Sequence, residues 1–127
     1  MVGLVLVSHS SKVAEGVLHL VRMMAENVPC VPAGGLEDGS YGTSFDKIKD
    51  AVIQADTGDG ALIIMDMGSS VMTAEMVVDD LPEGVRALLA DCPMVEGAVA
   101  ASVAAEGGDS LEAVKEEAES AWEARKC

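Results

Sequence analysis

Short apolar runs alternate with amphipathic segments along the whole chain. The runs predict four β-strands, over residues 4–7, 28–33, 61–65 and 85–90. The first and third runs contain no polar residue, which is typical of strands buried on both faces of a parallel sheet. Pro29 and Pro32 in the second run cannot donate hydrogen bonds to a neighbouring strand, so this strand is expected at a sheet edge. Arg86 interrupts the fourth run, which is the weakest of the four signals.

The segments between the strands have helical periodicity. They predict helices over about residues 11–27, 43–55, 71–81, 95–106 and 110–125. Ser10 or Ser11 suits the N-cap of the first helix, and the hydroxyl-x-x-acid pattern of Thr43 to Asp46 is typical of a helix start. His19 lies on the polar side of the first helix and is expected to be solvated. The apolar positions expected on the core-facing sides are Val13, Val17, Leu20, Val21 and Met24 in the first helix and Met72 and Met76 in the third. The fourth is predicted to be a helix of small residues, with Val95, Val99 and Val103 on one stripe.

Alternating strands and helices predict an α/β fold, a three-layer open parallel sheet with right-handed crossovers. If the second strand is an edge, the first strand lies inside the sheet and the third pairs with its other side. The expected strand order is therefore 2-1-3-4. The connections from the first and third strands leave in opposite directions, so the crevice between them is a topological switch point, where such folds bind ligands. His9 follows the first strand and Asp66 follows the third, and the two are expected to meet there.

This pair predicts nucleophilic chemistry at a histidine. A neutral imidazole can attack through one nitrogen while a carboxylate holds the proton on the other, and Asp66 is the carboxylate placed to orient His9 in this way. Helix N-termini with neighbouring hydroxyl groups favour a phosphoryl group as the electrophile. The hydroxyl groups expected to line such a site are those of Ser10, Ser11, Ser69 and Ser70. Phosphoryl transfer by these groups needs no metal ion.

The amino-acid composition, and above all the net charge, indicates which classes of partner the protein can bind. The formal charge is −14 over 127 residues, which disfavours nucleic acid and anionic membranes as partners and favours a protein with a basic docking face. No apolar segment is long enough to span a membrane, and no signal peptide is evident. Three cysteines without a C-x-x-C pair are typical of a reduced, cytoplasmic protein. Cys92 has no base near it in sequence, which disfavours a reactive thiol.

Five segments together resemble a known family. They are Val5-Leu-Val-Ser-His-Ser10, Ala33-Gly-Gly, Gly42-Thr-Ser44, Met65-Asp-Met-Gly-Ser-Ser70 and Val95-Glu-Gly-Ala-Val99. The chain resembles the phosphotransferase subunits (DhaM) of bacterial phosphoenolpyruvate-dependent dihydroxyacetone kinases, which share the fold of mannose-type enzyme IIA domains. The resemblance implies one enzyme IIA-like domain over residues 1–127. It also implies that His9 is the phosphoacceptor and Asp66 its orienting partner, with Thr43 and Ser70 as phosphate contacts.

The same resemblance implies the partners. His9 would be phosphorylated by phospho-HPr and would pass the phosphoryl group to ADP held in the kinase's nucleotide subunit, DhaL. The resulting ATP phosphorylates dihydroxyacetone on a third subunit, DhaK, so the chain would be a phosphotransferase subunit that needs no cofactor of its own. Because the sequence ends at Cys127, HPr is expected to be a separate protein. A homodimer is also expected from mannose-type relatives.

The mannose-type sugar phosphotransferase system supplies the main alternative, in which an enzyme IIA passes phosphate to an enzyme IIB. The short segment Met67 to Ser70 after Asp66 favours the dihydroxyacetone branch, because mannose-type domains usually have a longer glycine-rich loop there. Met67 and its neighbours are a candidate apolar rim that could adapt to two partners.

Other classes fit the residues less well. A receiver-like signalling domain needs an acidic pair after its first strand to hold magnesium, where this chain has Ser8, His9 and Ser10. A tetrapyrrole metal chelatase can place a histidine there, but it needs a second ligand that His19 is not positioned to supply. No G-x-G-x-x-G follows the first strand, which disfavours a dinucleotide-binding protein. In a purely structural or interaction domain, replacing His9 would have no functional effect.

Overall fold

The structure, a computed structural model, describes residues 1–127 and contains one four-stranded parallel sheet. The strands are β1 (Gly3–Ser8), β2 (Cys30–Gly34), β3 (Ala61–Met65) and β4 (Ala87–Ala90). Their order is β2-β1-β3-β4, with every neighbouring pair parallel. The predicted α/β class and strand order are confirmed, and the proline-bearing strand β2 lies at an edge.

Five α-helices connect and follow the strands. They are α1 (Ser11–Met24), α2 (Phe45–Ala55), α3 (Val71–Val78), α4 (Met94–Glu106) and α5 (Leu111–Glu119), with 3₁₀ turns at Gly68–Ser70 and Ser120–Glu123. Four helices are shorter than predicted, and α2 begins after Ser44, which caps it in place of Thr43. In α3 the following Pro82 disfavours helical backbone at Leu81, and the chain leaves the helix at Asp79. At the end of α1 the backbone becomes extended at Ala25, and in α5 the last turn tightens into the 3₁₀ turn. None of the helices is long and apolar enough to cross a membrane.

The helices form a layer on each face of the sheet. One apolar core lies between the sheet and α1, α4 and α5, and a second lies between the sheet and α2 and α3. Side chains of β1 alternate between the two cores, with Leu4 and Leu6 in the first and Val5 and Val7 in the second. This alternation explains why the run has no polar residue: both faces of the strand are covered.

The structure corrects the apolar side predicted for α4. Val95 and Val103 are about half exposed, and the buried residues are small: Gly97, Ala98, Ala101, Ser102 and Ala105. Helix α4 contacts α1 and α5 as well as the sheet, so its inward face must allow close approach of the backbone. A Cβ atom at Gly97 would lie 2.3 Å from Cys92 Sγ, which leaves no room for a larger residue.

Two other helix faces also differ from the prediction. In α1 the buried residues are Ala14, Val17 and Val21, whereas Val13, Leu20 and Met24 lie at the exposed margin. In α3 the prediction that Met72 and Met76 lie in the core is wrong, because Ala74 and Val77 are buried instead and Met72 is 76% exposed. His19 is exposed, as predicted.

Candidate active site

His9 and Asp66 meet at the carboxyl edge of the sheet, beyond β1 and β3. The backbone N–H of Asp66 donates to the carbonyl of Val7 at 3.0 Å, which extends the pairing of the two strands by one residue. His9 Nδ1 lies 3.2 Å from both carboxylate oxygens of Asp66. The His9 side chain is 25% exposed and that of Asp66 is 14% exposed, so the imidazole can be reached from solvent while its partner is largely covered.

The Asp66 carboxylate is held by several further donors. Its Oδ2 accepts from the Ser8 hydroxyl and from the backbone N–H of His9, both at 3.0 Å, and its Oδ1 accepts from the N–H of Met67 at 2.8 Å. Burial raises the pKa of Asp66, but the hydrogen bonds from His9 and Ser8 outweigh it and hold the pKa below its ordinary value. The group that faces the imidazole is therefore an ionised carboxylate, which favours a proton on Nδ1.

The second ring nitrogen, Nε2, faces the 3₁₀ turn before α3. Ser69 Oγ lies 3.0 Å from His9 Nε2. Assigned from these partners, the tautomer has its proton on Nδ1, so Nε2 carries a lone pair and accepts a hydrogen bond from the Ser69 hydroxyl. The arrangement gives one nitrogen with a nucleophilic lone pair, and its only side-chain partner is a small hydroxyl group.

The glycine-rich segment after β2 lies directly against this pair. Gly42 donates its N–H to the carbonyl of His9 at 2.9 Å, and Gly35 donates to the carbonyl of Ser8 at 3.1 Å. The Lys47 ammonium group holds the segment from α2, because it donates to the carbonyl of Gly34 at 3.0 Å. A Cβ atom at Gly34 would lie 2.5 Å from the carbonyl oxygen of Ser10, so glycine is required for β2 to approach the start of α1.

Comparison with known proteins places this arrangement in a family. The family described as the PTS system fructose IIA component (EIIA-man) matches residues 3–115. The chain belongs to the EIIA-man family. A crystal structure of the protein EF1359, described as of unknown function, has this fold as well, with a TM-score of 0.82 and 36% identity over 93% of this chain and 92% of that one.

Curated relatives of this EIIA-man chain are subunits of dihydroxyacetone kinases. It is 38% identical to the phosphotransferase subunit DhaM of the PTS-dependent dihydroxyacetone kinase of Lactococcus lactis, over 92% of this chain and 93% of the relative. It is 35% identical over 98% of its length to the phosphoryl donor subunit DhaM of the PEP-dependent dihydroxyacetone kinase of Providencia stuartii. The matched region covers 28% of that longer relative. The predicted resemblance to DhaM proteins is confirmed.

The hydroxyl groups predicted to contact phosphate occupy different positions in this EIIA-man chain. Ser10 caps α1, with its Oγ accepting from the N–H of Val13, and Ser11 is the first helical residue. Thr43 Oγ1 lies 3.4 Å from Thr73 Oγ1 and joins the segment before α2 to α3. Ser70 is fully buried, and its hydroxyl donates to the carbonyl of Met67 at 2.7 Å. Only Ser69 reaches the His9 ring, and phosphate binding by any of the five stays a prediction.

Sequence reasoning missed Ser8 as part of the site. Its side chain is completely buried, and its hydroxyl donates to Asp66 and accepts from the N–H of Ser10 at 3.0 Å. It therefore links the carboxylate to the residue that caps α1. The available signal was a hydroxyl residue at the end of an otherwise apolar strand, since a buried hydroxyl must find partners.

Proposed function

We propose that this EIIA-man chain is a phosphohistidine carrier, in which His9 takes a phosphoryl group from phospho-HPr and passes it to ADP bound in a dihydroxyacetone kinase. The observation that carries the proposal is the His9–Asp66 pair, with Nδ1 bound to an ionised carboxylate and Nε2 turned to the accessible side. The likeness to DhaM proteins over almost the whole chain supports the kinase system as the acceptor.

The transfer needs no net change of protons at His9. The Nε2 lone pair attacks phosphorus as the bond to the donor atom of HPr breaks, and that electron pair returns to the donor. The proton stays on Nδ1, where the Asp66 carboxylate stabilises the positive charge that develops on the ring. In the second step a terminal phosphate oxygen of ADP attacks, the N–P bond breaks, and Nε2 recovers its lone pair.

The phosphoryl oxygens would be bound from both sides of the crevice. At the start of α1, the Ser10 hydroxyl already accepts from Val13, so the free donors there are the N–H groups of Ser11 and Lys12. Ser69 would rotate its hydroxyl from Nε2 to a phosphoryl oxygen. Thr43 would contribute from the opposite segment, and Ser70 only if it gives up its bond to Met67.

The remaining partners follow from the same proposal. The acceptor nucleotide would lie in the nucleotide subunit DhaL, and its ATP would serve the dihydroxyacetone subunit DhaK, so the chain works as a phosphotransferase subunit with no cofactor or metal ion of its own. We further propose one domain over residues 1–127, a homodimer and a cytoplasmic location. The likeness to proteins described as phosphoryl donor subunits DhaM supports the phosphotransferase role.

One reconstitution tests the carrier role. The protein is incubated with labelled phosphoenolpyruvate, enzyme I and HPr, beside a His9→Ala variant. Label that is acid-labile and base-stable, and absent from His9→Ala, is the expected result. An acyl phosphate, which is base-labile and depends on magnesium, would instead support a receiver-like domain. Label retained by His9→Ala would contradict the proposal.

A second stage identifies the acceptor. The phosphorylated protein is mixed with DhaL, DhaK, ADP and dihydroxyacetone, and separately with a mannose-type enzyme IIB. Loss of label to the kinase subunits with formation of dihydroxyacetone phosphate is expected. Transfer to enzyme IIB alone would assign the chain to sugar transport.

A further inference from the structure

A cleft lined by apolar and charged residues opens next to the candidate active site, and His9 is not among the residues that line it. It has a volume of about 490 Å³ and lies between the carboxyl ends of β3 and β4 and the chain's C-terminal helical turns. Its apolar walls are formed by Met65, Met67, Val71, Leu89, Met94 and Trp122. Asp66 and Gly68 also line it, so the cleft and the His9 site share one wall.

Several polar groups of the cleft are paired within the chain, whereas the exposed carboxylate of Asp91 has no hydrogen-bond or ion-pair partner. Lys115 Nζ bonds Glu119 at 2.9 Å, the N–H of Asp91 donates to Glu119 at 2.9 Å, and the Trp122 indole N–H donates to the carbonyl of Asp91 at 2.9 Å. Burial and the nearby carboxylates raise the pKa of Cys92 to about 11, so its thiol adds a neutral surface. Small-molecule sites usually present a few convergent polar groups that orient the ligand. Here Lys115, Glu119 and the Trp122 indole N–H bond to partners within the chain, so the apolar walls are the larger free surface for an occupant.

Two side chains at the mouth of the cleft are exposed although they are large and apolar. Met67 is 55% exposed and Trp122 is 61% exposed. Tryptophan and methionine are enriched at protein–protein interfaces, and methionine adapts to different partner surfaces. A protein that presents a phosphoryl group to Nε2 must cover the 3₁₀ turn Gly68–Ser70, whose other side borders this cleft.

We propose that the cleft receives a protruding apolar side chain of the phosphoryl-donor protein, on a basic surface that complements the −14 charge of this chain. The inference rests on the proposed function, because it assigns the docking contact that brings the donor to His9. Insertion of one side chain at the shared wall would fix the position of the donor protein relative to Nε2. This matters because phosphoryl transfer depends mainly on placing the phosphoryl group in line with the attacking nitrogen.

The test compares a protein donor with a small one. Phospho-HPr must dock, whereas phosphoramidate reaches His9 without a protein surface. In Trp122→Ala we expect kcat/KM with phospho-HPr to fall about tenfold and the phosphoramidate rate to stay unchanged. Trp122→Phe should keep most of the wild-type rate because it preserves an aromatic wall. The matched control is Met23→Ala, which should behave as wild type. Met23 is exposed and lies at the C-terminal end of α1, the end away from His9.

Each outcome separates the two proposals. Wild-type rates with phospho-HPr in Trp122→Ala would overturn the cleft as a docking site, and so would equal losses with both donors. Failure of both donors to phosphorylate the wild type would remove the carrier function itself. Trp122 is the only tryptophan, so its emission should also shift to the blue when tryptophan-free HPr binds the His9→Ala variant. An unchanged spectrum at saturating HPr would equally overturn the cleft proposal.

Discussion

At the scale of single residues, hydrogen bonds from groups other than the imidazole already hold the Asp66 carboxylate in place. The Ser8 hydroxyl and the N–H groups of His9 and Met67 all donate to its carboxylate. These contacts come from the two strand ends themselves, so the carboxylate cannot turn away from Nδ1 without breaking several bonds. A carboxylate held in this way orients the ring and selects its tautomer at little entropic cost during transfer.

The pH dependence of stability follows from the same contacts. The folded-state pKa of Asp66 lies below the ordinary value of about 3.9, so its contribution to the free energy of unfolding is present above that value and is lost as the pH falls through the folded pKa. Urea unfolding should therefore show Asp66→Asn to be less stable than wild type at about pH 6, with the difference shrinking below about pH 4. A difference that stays constant over this range would show that Asp66 gains nothing from being ionised.

In the proposed transfer, the Ser69 hydroxyl would have two opposing effects on the rate. Its bond to free Nε2 stabilises the resting state, and a neutral hydrogen bond contributes about 1 kcal/mol, whereas a bond to a charged phosphoryl oxygen contributes about 1.5–3 kcal/mol. The second is larger, so Ser69→Ala should slow phosphorylation of His9 by about tenfold. Single-turnover labelling by phospho-HPr measures this. Faster labelling would mean that the bond to Nε2 dominates.

At the scale of elements, the close approach of β2 to α1 sets the walls of the crevice. Both nearest contacts of a Cβ at Gly34 would be backbone atoms, the Ser10 carbonyl oxygen at 2.5 Å and Ser11 Cα at 2.8 Å. Backbone cannot move aside as a flexible side chain can. The close packing of β2 against the start of α1 therefore requires a residue without a side chain at position 34, next to Ser10, which caps α1.

Gly34→Ala should destabilise the protein by about 1–3 kcal/mol, because overpacking displaces the start of α1. The matched control is Gly16→Ala in the middle of α1, where a Cβ atom meets nothing within 4 Å. There the better helix propensity of alanine should stabilise by about 0.5–1 kcal/mol. Thermal or urea unfolding of the two variants gives the comparison. Equal effects would contradict a steric requirement at Gly34.

At the scale of the whole molecule, the charge of −14 acts on every approaching partner. Attraction to a basic protein donor is screened by salt, since the Debye length falls from about 10 Å at 0.1 M to about 3 Å at 1 M. The value of kcat/KM with phospho-HPr should therefore fall as sodium chloride rises. Phosphoramidate, a small anion, is repelled by the same charge, so its rate should rise or stay level. A parallel decrease with both donors would exclude electrostatic steering.

The sequence by itself determined the sheet and the meeting of the two loops that carry His9 and Asp66. Uninterrupted apolar runs mark β1 and β3 because a strand covered on both faces rarely offers a polar side chain the partners it needs, and two prolines mark β2 as an edge. From that order the positions of His9 and Asp66 follow, since parallel strands end at the same edge of a sheet.

Only the tertiary structure decided which side of each helix is buried. The valines of α4 and the methionines of α3 have helical spacing, but neighbouring helices select the small residues of α4 and Ala74 and Val77 of α3 for the core. The contacts of Ser8 and Ser69 and the cleft beside Trp122 were likewise undetermined, because strand order does not specify how individual side chains orient and pack. Periodicity reports that a helix has an apolar side, whereas burial depends on what the rest of the chain packs against it.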